Sequence, residues 1–169
     1  MFKIIKKEPL NPSMTRMVIE APFVARKAMP GQFIILRVNE TGERIPLTIA
    51  DYDREAGTVT IIYQKVGKST LLLDEQEAGG YLMDFIGPLG KASELEGYKK
   101  AAVIGGGAGC AIAYPQAKAL HAMGTKVDMI AGFRDKDLII LENEMREASD
   151  RLIVMTDDGS NGNKGFVTA

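Results

Sequence analysis

Residues 99–156 alternate in a way that few folds accommodate. A short apolar stretch, Lys99–Ile104, runs into the cluster Gly105-Gly106-Gly107-Ala108-Gly109 and then into an Ala-rich segment, read as a helix to Met123. Gly124 follows, where a C-terminal capping glycine belongs. Lys126–Gly132 reads as a second strand, Leu138–Ser149 as a charged amphipathic helix and Arg151–Thr156 as a third strand. Strand–helix–strand–helix–strand implies parallel strands joined by right-handed crossovers. Open sheets of this type that bind nucleotides usually have about five or six strands. Three strands are therefore expected to be part of a larger domain. Residues 157–169 fit that expectation: they are rich in Gly, Asp and Asn, turn apolar at Gly165-Phe166-Val167, and then the sequence stops.

The first half follows a different pattern. Met1–Lys7, Met14–Ala21, Gln32–Val38, Arg44–Ala50, Gly57–Gln64 and Tyr81–Ile86 are short and rich in Ile, Val, Thr, Tyr and Phe. Turn signals separate them, among them Asn11-Pro12-Ser13, Pro30-Gly31 and Glu40-Thr41-Gly42. This spacing predicts an antiparallel barrel or sandwich. One helix is expected within it, over Lys68–Ala78, stopped by Gly79-Gly80. The change of pattern falls in Gly87–Gly97, which places one domain at 1–96 and a second at 97–169.

Composition narrows the function classes. With 46% hydrophobic and 25% charged residues the chain can bury a core, which excludes wholesale disorder. Lys and Arg number 21 against 22 Asp and Glu, a net charge of −1, so a nucleic-acid partner is not expected. A single Cys excludes a disulfide framework, and also a Cys-rich zinc or iron–sulfur site built from these residues alone. It also fits a reducing cytoplasm. The longest uncharged run, Ala101–Gln116, contains the glycine cluster and a proline, so no membrane span is expected.

Several segments have the residue types for chemistry. A strand entering glycines before a helix leaves backbone N–H groups pointing at one spot, and the helix dipole favours an anion there. Gly105, Gly106, Gly107, Ala108 and Gly109 form such a loop. It departs from G-x-G-x-x-G because Cys110 stands in the last Gly position, and Asp128 lies inside the next strand rather than at its end. The bland alternative is a Gly-rich turn needed for packing. Gly67-Lys68-Ser69-Thr70 imitates the tail of a P-loop, but Ile62 stands where that motif requires its first Gly. The segment is read either as a phosphate cradle or as a Ser/Thr helix cap. In Arg44-Ile45-Pro46-Leu47-Thr48, Arg44 offers a planar cationic fork and Thr48 a hydrogen bond to a heterocycle edge; an edge strand with a solvated Arg is the alternative. Asp157-Asp158 and Arg134 follow strand ends, where open α/β sheets place ligand contacts; an Asx turn and a solvated Arg are the alternatives. Cys110 reads as a small hydrophobe and the nine Met as core filler. His121 has no metal-ligand spacing around it.

The ordered set resembles the ferredoxin–NADP reductase superfamily. It comprises Pro30-Gly31-Gln32-Phe33, then Arg44-x-Pro46-Leu47-Thr48, Gly67-Lys68-Ser69-Thr70 and Gly87-Pro88-Leu89-Gly90, followed by the glycine loop opening a βαβ unit. Gly132-Phe133-Arg134-Asp135-Lys136-Asp137-Leu138, Thr156-Asp157-Asp158-Gly159-Ser160 and Lys164-Gly165-Phe166-Val167-Thr168 are similar to the small flavin-carrying subunits of heteromeric electron-transfer enzymes. Those include the NADH-dependent ferredoxin–NADP oxidoreductases and the dihydroorotate dehydrogenases.

The resemblance implies β plus α/β architecture: an antiparallel Greek-key β-barrel that binds FAD, then a parallel-sheet domain that binds NAD(P)H. It places Thr48 at the flavin N5 edge, Leu47 and Pro46 beside the ring, and Arg44 with Gly67–Thr70 at the phosphates. Gly105–Gly109 would receive the nicotinamide dinucleotide, with Arg134, Asp157 and Asp158 near it. Two departures stand out. Arg44 is four residues before Thr48, where the superfamily has three, and Ile112 stands where the family's loop continues into Pro. The resemblance further implies a [2Fe–2S] cluster in a C-terminal segment that this sequence does not contain, a larger oxidoreductase subunit as partner and a ferredoxin-type acceptor. The alternative function is a non-catalytic module that binds FAD or a partner.

Overall fold

The computed structural model describes residues 1–168; Ala169, the last residue of the second expected domain, lies outside the described residues. The chain divides into two compact units, Met1–Ser93 and Glu94–Ala169.

The first unit contains β1 (Phe2–Asn11), β2 (Met14–Glu20), α1 (Pro22–Lys27), β3 (Phe33–Arg37), β4 (Ile45–Asp53), β5 (Thr58–Gln64), α2 (Lys68–Asp74), β6 (Tyr81–Leu82) and β7 (Asp84–Leu89). The strands form one antiparallel sheet in the order β6-β1-β2-β5-β4-β3-β7. β3, β4 and β5 are a meander and β2 returns beside β5, which is the Greek-key connection. The two outermost strands, β6 and β7, are consecutive in the chain with only Met83 between them, so the sheet wraps round into a nearly closed barrel. Sequence alternation drives this. Met17 and Ile19, Ile34 and Leu36, and Val59, Ile61 and Tyr63 are buried at every second position, as a sheet with one covered face requires. Leu73 from α2 and Val24, Ala25 and Ala28 from and after α1 complete the same core. Burying each large aliphatic side chain is worth about 1.5–3 kcal/mol.

Three local expectations change here. The expected strand Tyr81–Ile86 breaks at Met83, whose N–H donates to the carbonyls of Arg37 (3.0 Å) and Val38 (3.2 Å). The expected helix to Ala78 stops at Asp74. Gly79 and Gly80 instead extend the pairing of β1, with Gly79 N–H donating to Ile4 O and Ile4 N–H donating to Gly80 O, both at 2.8 Å. Gly79 takes φ +90, which explains the residue type. Helix α1, opened by Pro22, was not expected from the sequence.

The second unit contains β8 (Lys100–Gly106), α3 (Cys110–Ala122), β9 (Lys126–Phe133), α4 (Glu142–Glu147) and β10 (Arg151–Thr156). The three strands are parallel in the order β10-β9-β8. Val127, Met129, Ala131 and Phe133 alternate as the buried side of β9, and α3 packs on β8 and β9. Gly124 caps α3 with φ +84, as expected from its position. The expected helix Leu138–Ser149 is shorter. A 3₁₀ turn spans Lys136–Leu138, with the Asp135 carboxylate accepting from Asp137 N–H, and Leu141 takes φ +57 before α4 begins. Among the described residues no helix is long and apolar enough to cross a membrane.

Candidate functional site

In the first unit the entry to β4 gathers three elements. Glu43 and Arg44 are adjacent in sequence and reach in different directions. The Ser69 hydroxyl, in the first turn of α2, donates to Glu43 Oε2 at 3.0 Å. Arg44 Nη2 donates to Asp84 Oδ2 at 3.1 Å, and Arg37 Nε donates to the same oxygen at 2.8 Å. Arg37 and Asp84 are register partners on β3 and β7, so the sheet itself sets their meeting. Arg44 is the more exposed of the two arginines, with 56% of its side chain accessible against 21% for Arg37. Glu43, Arg37 and Asp84 were not singled out from the sequence. An acidic residue beside Arg44 was visible there, but the pairings depend on register.

Beyond Arg44, the face that each residue of β4 presents follows strand alternation. Ile45 and Leu47 pack against the barrel core, whereas Pro46 is exposed and Thr48 half-buried. Thr48 is the register partner of Phe33, and Pro46 that of Ile35. Leu47 therefore lies on the opposite face of the strand from Pro46 and Thr48.

The start of α2 is built from backbone and hydroxyl groups. Gly67 is extended at φ −159, and a Cβ there would meet nothing within 4 Å. Thr70 Oγ1 accepts from the N–H groups of Gly67 and Val66, both at 3.1 Å, and donates to Gly67 O at 3.0 Å. Thr70, at the third helical position, thus performs the reach-back half of a capping box, whereas the N-cap itself is Gly67 rather than a Ser or Thr. Lys68 is the first helical residue. The segment follows an antiparallel barrel strand rather than a parallel βαβ unit, which removes the structural context of a P-loop.

The other end of α2 is fixed electrostatically. Asp74 Oδ1 accepts from the hydroxyls of Thr15 (2.7 Å) and Tyr63 (3.1 Å), and Lys65 Nζ lies 3.5 Å from Oδ2. Lys7 donates to the Asp74 carbonyl and, at 3.0 Å, to Glu77. Burial alone would raise the Asp74 carboxyl. The two hydroxyls and the nearby Lys7 and Lys65 outweigh it and hold Asp74 below its ordinary value. Burial, followed by the Asp74 charge, pushes the Tyr63 phenol up.

In the second unit the glycine loop separates into two kinds of glycine. Gly105 is a packing residue. A Cβ there would lie 3.0 Å from Cys110 Cα and 3.1 Å from both Ala113 Cβ and Cys110 Sγ. Gly106, Gly107 and Gly109 would meet nothing within 4 Å. Gly107 has φ +50, which accounts for one of them. Gly106 (φ −127) and Gly109 (φ −62) have neither a positive φ nor a neighbour to explain the missing side chain. They open onto the N-terminus of the 13-residue helix α3, whose first turn holds no acidic residue. Ala108 lies exposed between them. Cys110 is fully buried, and that burial pushes its thiol up to about 12, as expected of a packing residue.

Arg134, Asp157 and Asp158 meet beyond the C-terminal ends of β9 and β10. Asp157 N–H donates to Phe133 O at 3.0 Å and Asp158 N–H to Arg134 O at 3.4 Å, so the two segments stay paired past the strands. Asp158 Oδ1 accepts from Ser160 N–H at 2.9 Å, an Asx turn, and these Ser160 hydrogen bonds lower the Asp158 carboxyl. Arg134, Asp157 and Asp158 are exposed. A cavity of about 720 Å³ in the same unit is lined by Lys136, Glu142, Arg146, Leu152 and Asn163 among others, and includes none of the predicted residues. His121 Nε2 lies 3.9 Å from Asp150, and no group of His, Cys, Asp and Glu suited to a metal occurs among the described residues.

Comparison with known proteins follows from this geometry. No family model matches the chain. It is 43% identical over 166 residues to a Thermotoga maritima protein named as a homologue of the dihydroorotate dehydrogenase B (NAD(+)) electron transfer subunit, covering 98% of this chain and 58% of the relative. It is 35% identical over 170 residues to the corresponding Streptococcus mutans electron transfer subunit, covering 98% and 65%. The chain thus spans somewhat under two thirds of these relatives. In three dimensions it superposes with a TM-score of 0.93 and 42% identity on a chain of the NADH-dependent reduced ferredoxin–NADP oxidoreductase, covering 99% of this chain and 60% of that one. By sequence the chain is a homologue of electron-transfer subunits of dihydroorotate dehydrogenase B, and it has a ferredoxin reductase-like fold.

Proposed function

We propose that the chain is the flavin- and nicotinamide-binding part of an electron-transfer subunit. In this reading the barrel holds FAD, with Arg44 and the Gly67–Thr70 turn at its phosphates and Thr48 at the edge of its ring. Pro46 shares the Thr48 face, and Leu47 contributes backbone rather than a side chain, because its side chain packs inward. The second unit holds NAD(P)H, its pyrophosphate on Gly106, Gly107 and Gly109 at the start of α3, with Arg134, Asp157 and Asp158 at the adenosine side.

The observation that carries the reading is the pair of glycines, Gly106 and Gly109, whose lack of a side chain nothing in the fold explains. They leave room for a ligand backbone to approach the α3 N–H groups. When bound, the two cofactors supply the hydride and single-electron chemistry. The chain's own residues position the cofactors and hold charge. The names of the relatives support a larger oxidoreductase subunit as partner and a ferredoxin-type protein as onward acceptor; an iron–sulfur centre as acceptor belongs to the proposal alone. The one buried Cys supports a reducing cytoplasmic setting.

Absorbance spectroscopy tests this directly. The chain mixed with FAD and desalted should retain a flavin spectrum, and anaerobic NADH or NADPH should bleach it. A folded chain that retains no flavin overturns the reading. Retained flavin that neither nucleotide bleaches leaves a binding module.

A further inference from the structure

On the flavin reading above, we infer that Glu43 sets the affinity for the dinucleotide by competing with its phosphates for Ser69, as Asp84 does for Arg44. Two of the side-chain donors assigned to the phosphates are bonded to the chain's own carboxylates: Ser69 Oγ to Glu43 Oε2 at 3.0 Å, and Arg44 Nη2 to Asp84 Oδ2 at 3.1 Å. The two contacts differ in how firmly they are held. Asp84 is anchored by Arg37 through the β3–β7 register and a 2.8 Å bond, so its carboxylate stays when Arg44 swings away. Among the described residues Glu43 has no such anchor beyond Ser69, and it lies in the exposed turn before β4.

The exchange is therefore of like for like. A diphosphate presents two anionic groups, and each can replace one carboxylate on its donor. The carboxylates hold Ser69 and Arg44 in the orientation an anion needs, and they lower the net gain when that anion arrives. Lys68, at the start of α2, and Arg37 are the remaining cations of these elements, and both favour the incoming anion. A ligand offering a single anionic group replaces only one carboxylate and engages one of the two donors, so the arrangement suits a diphosphate, which engages both.

The test is a fluorescence titration of FAD with the full 169-residue chain. Glu43→Ala should bind FAD roughly two- to fivefold more tightly than the unmodified chain, the scale of an exposed interaction with one carboxylate. Glu43→Gln, which keeps an acceptor for Ser69 and loses the charge, should give part of that gain. In a Ser69→Ala background the gain from Glu43→Ala should shrink, because the contested hydroxyl is gone. Unchanged or weaker FAD binding in Glu43→Ala overturns the inference, and so does a gain that persists in full without Ser69. Failure of the unmodified chain to bind FAD overturns the flavin reading itself, which separates the two failures. Melting temperatures of all variants confirm that each titration reports on folded protein.

Discussion

The two kinds of glycine in the second unit make a prediction with opposite signs for stability and binding. In Gly105→Ala the new methyl would lie 3.0 Å from Cys110 Cα and 3.1 Å from Ala113 Cβ. Carbon atoms in good contact sit about 3.5–4.0 Å apart. The obstructing atoms belong to the first turns of α3 and cannot rotate away, so β8 and α3 must separate. Overpacking of this kind costs about 1–3 kcal/mol. In a small domain each kcal/mol lowers the melting temperature by about 4–8 °C. In Gly109→Ala the methyl meets nothing within 4 Å, and φ −62 with ψ −19 is comfortable for Ala. That variant should melt at the same temperature or slightly higher, gaining about 0.4–1 kcal/mol through the unfolded state. For nicotinamide binding the order reverses, because the Gly109 methyl fills the space where a pyrophosphate would meet the α3 N–H groups. A tenfold loss of NADH affinity, about 1.4 kcal/mol, is expected there. Thermal melts without nucleotide, together with calorimetric titration of NADH into the FAD-loaded chain, read both quantities. A Gly109→Ala variant that melts as low as Gly105→Ala, or that binds NADH undiminished, would refute the reasoning.

Three further outcomes are expected. Because Asp74 is held below its ordinary value in the folded chain, its contribution to stability is full above the unfolded carboxylate range of about 3.9 and is lost as pH falls through the lower folded value. Denaturant melts between pH 7 and 3 should show a smaller loss in Asp74→Asn than in the unmodified chain, because Glu8 and Asp158 are lowered as well; the substitution should cost about 1–3 kcal/mol at pH 7 by removing the charge that accepts from Thr15 and Tyr63 and faces Lys65. Cys110, fully buried with its thiol pushed up to about 12, should resist a thiol reagent at pH 8 until denaturant is added, when one thiol per chain should react. Thr48→Ala should slow flavin reduction in stopped-flow traces more than it weakens FAD binding, and an unchanged rate would remove Thr48 from the ring edge.

What could be read from the sequence follows from which forces are local. The barrel strands and the parallel unit were legible because period-two burial and the strand–helix alternation are written residue by residue. The Asn11 turn was legible for the same reason: its carboxamide oxygen accepts from Ser13 and Met14 N–H groups at 2.9 and 2.8 Å. Errors arose where tertiary contacts override a local signal. Gly79-Gly80 reads as a helix stop, yet the Asp74 network ends α2 earlier and the glycines pair with Ile4. Ile139-Ile140-Leu141 reads as part of a helix, but Leu141 at φ +57 delays α4. At the candidate site Arg44 and Ser69 were visible as residue types, but their partners Asp84 and Glu43 are 40 and 26 positions away. Tertiary folding, not local sequence, brings such pairs together; register does so directly only for Arg37 and Asp84.

The segment 81–89 has a consequence for how the barrel assembles. The inner order β1-β2-β5-β4-β3 is complete once residue 64 is available, but it ends in two raw edges, along β1 and β3. One stretch of chain then covers both: β6 pairs with β1 and β7 with β3. During synthesis the nascent barrel would therefore expose two unpaired strand edges until a single late clasp arrives, and bare edges invite pairing with other chains. Any break in the chain near Met83 would release the edges separately, turning a self-sealing sheet into one open on at least one side.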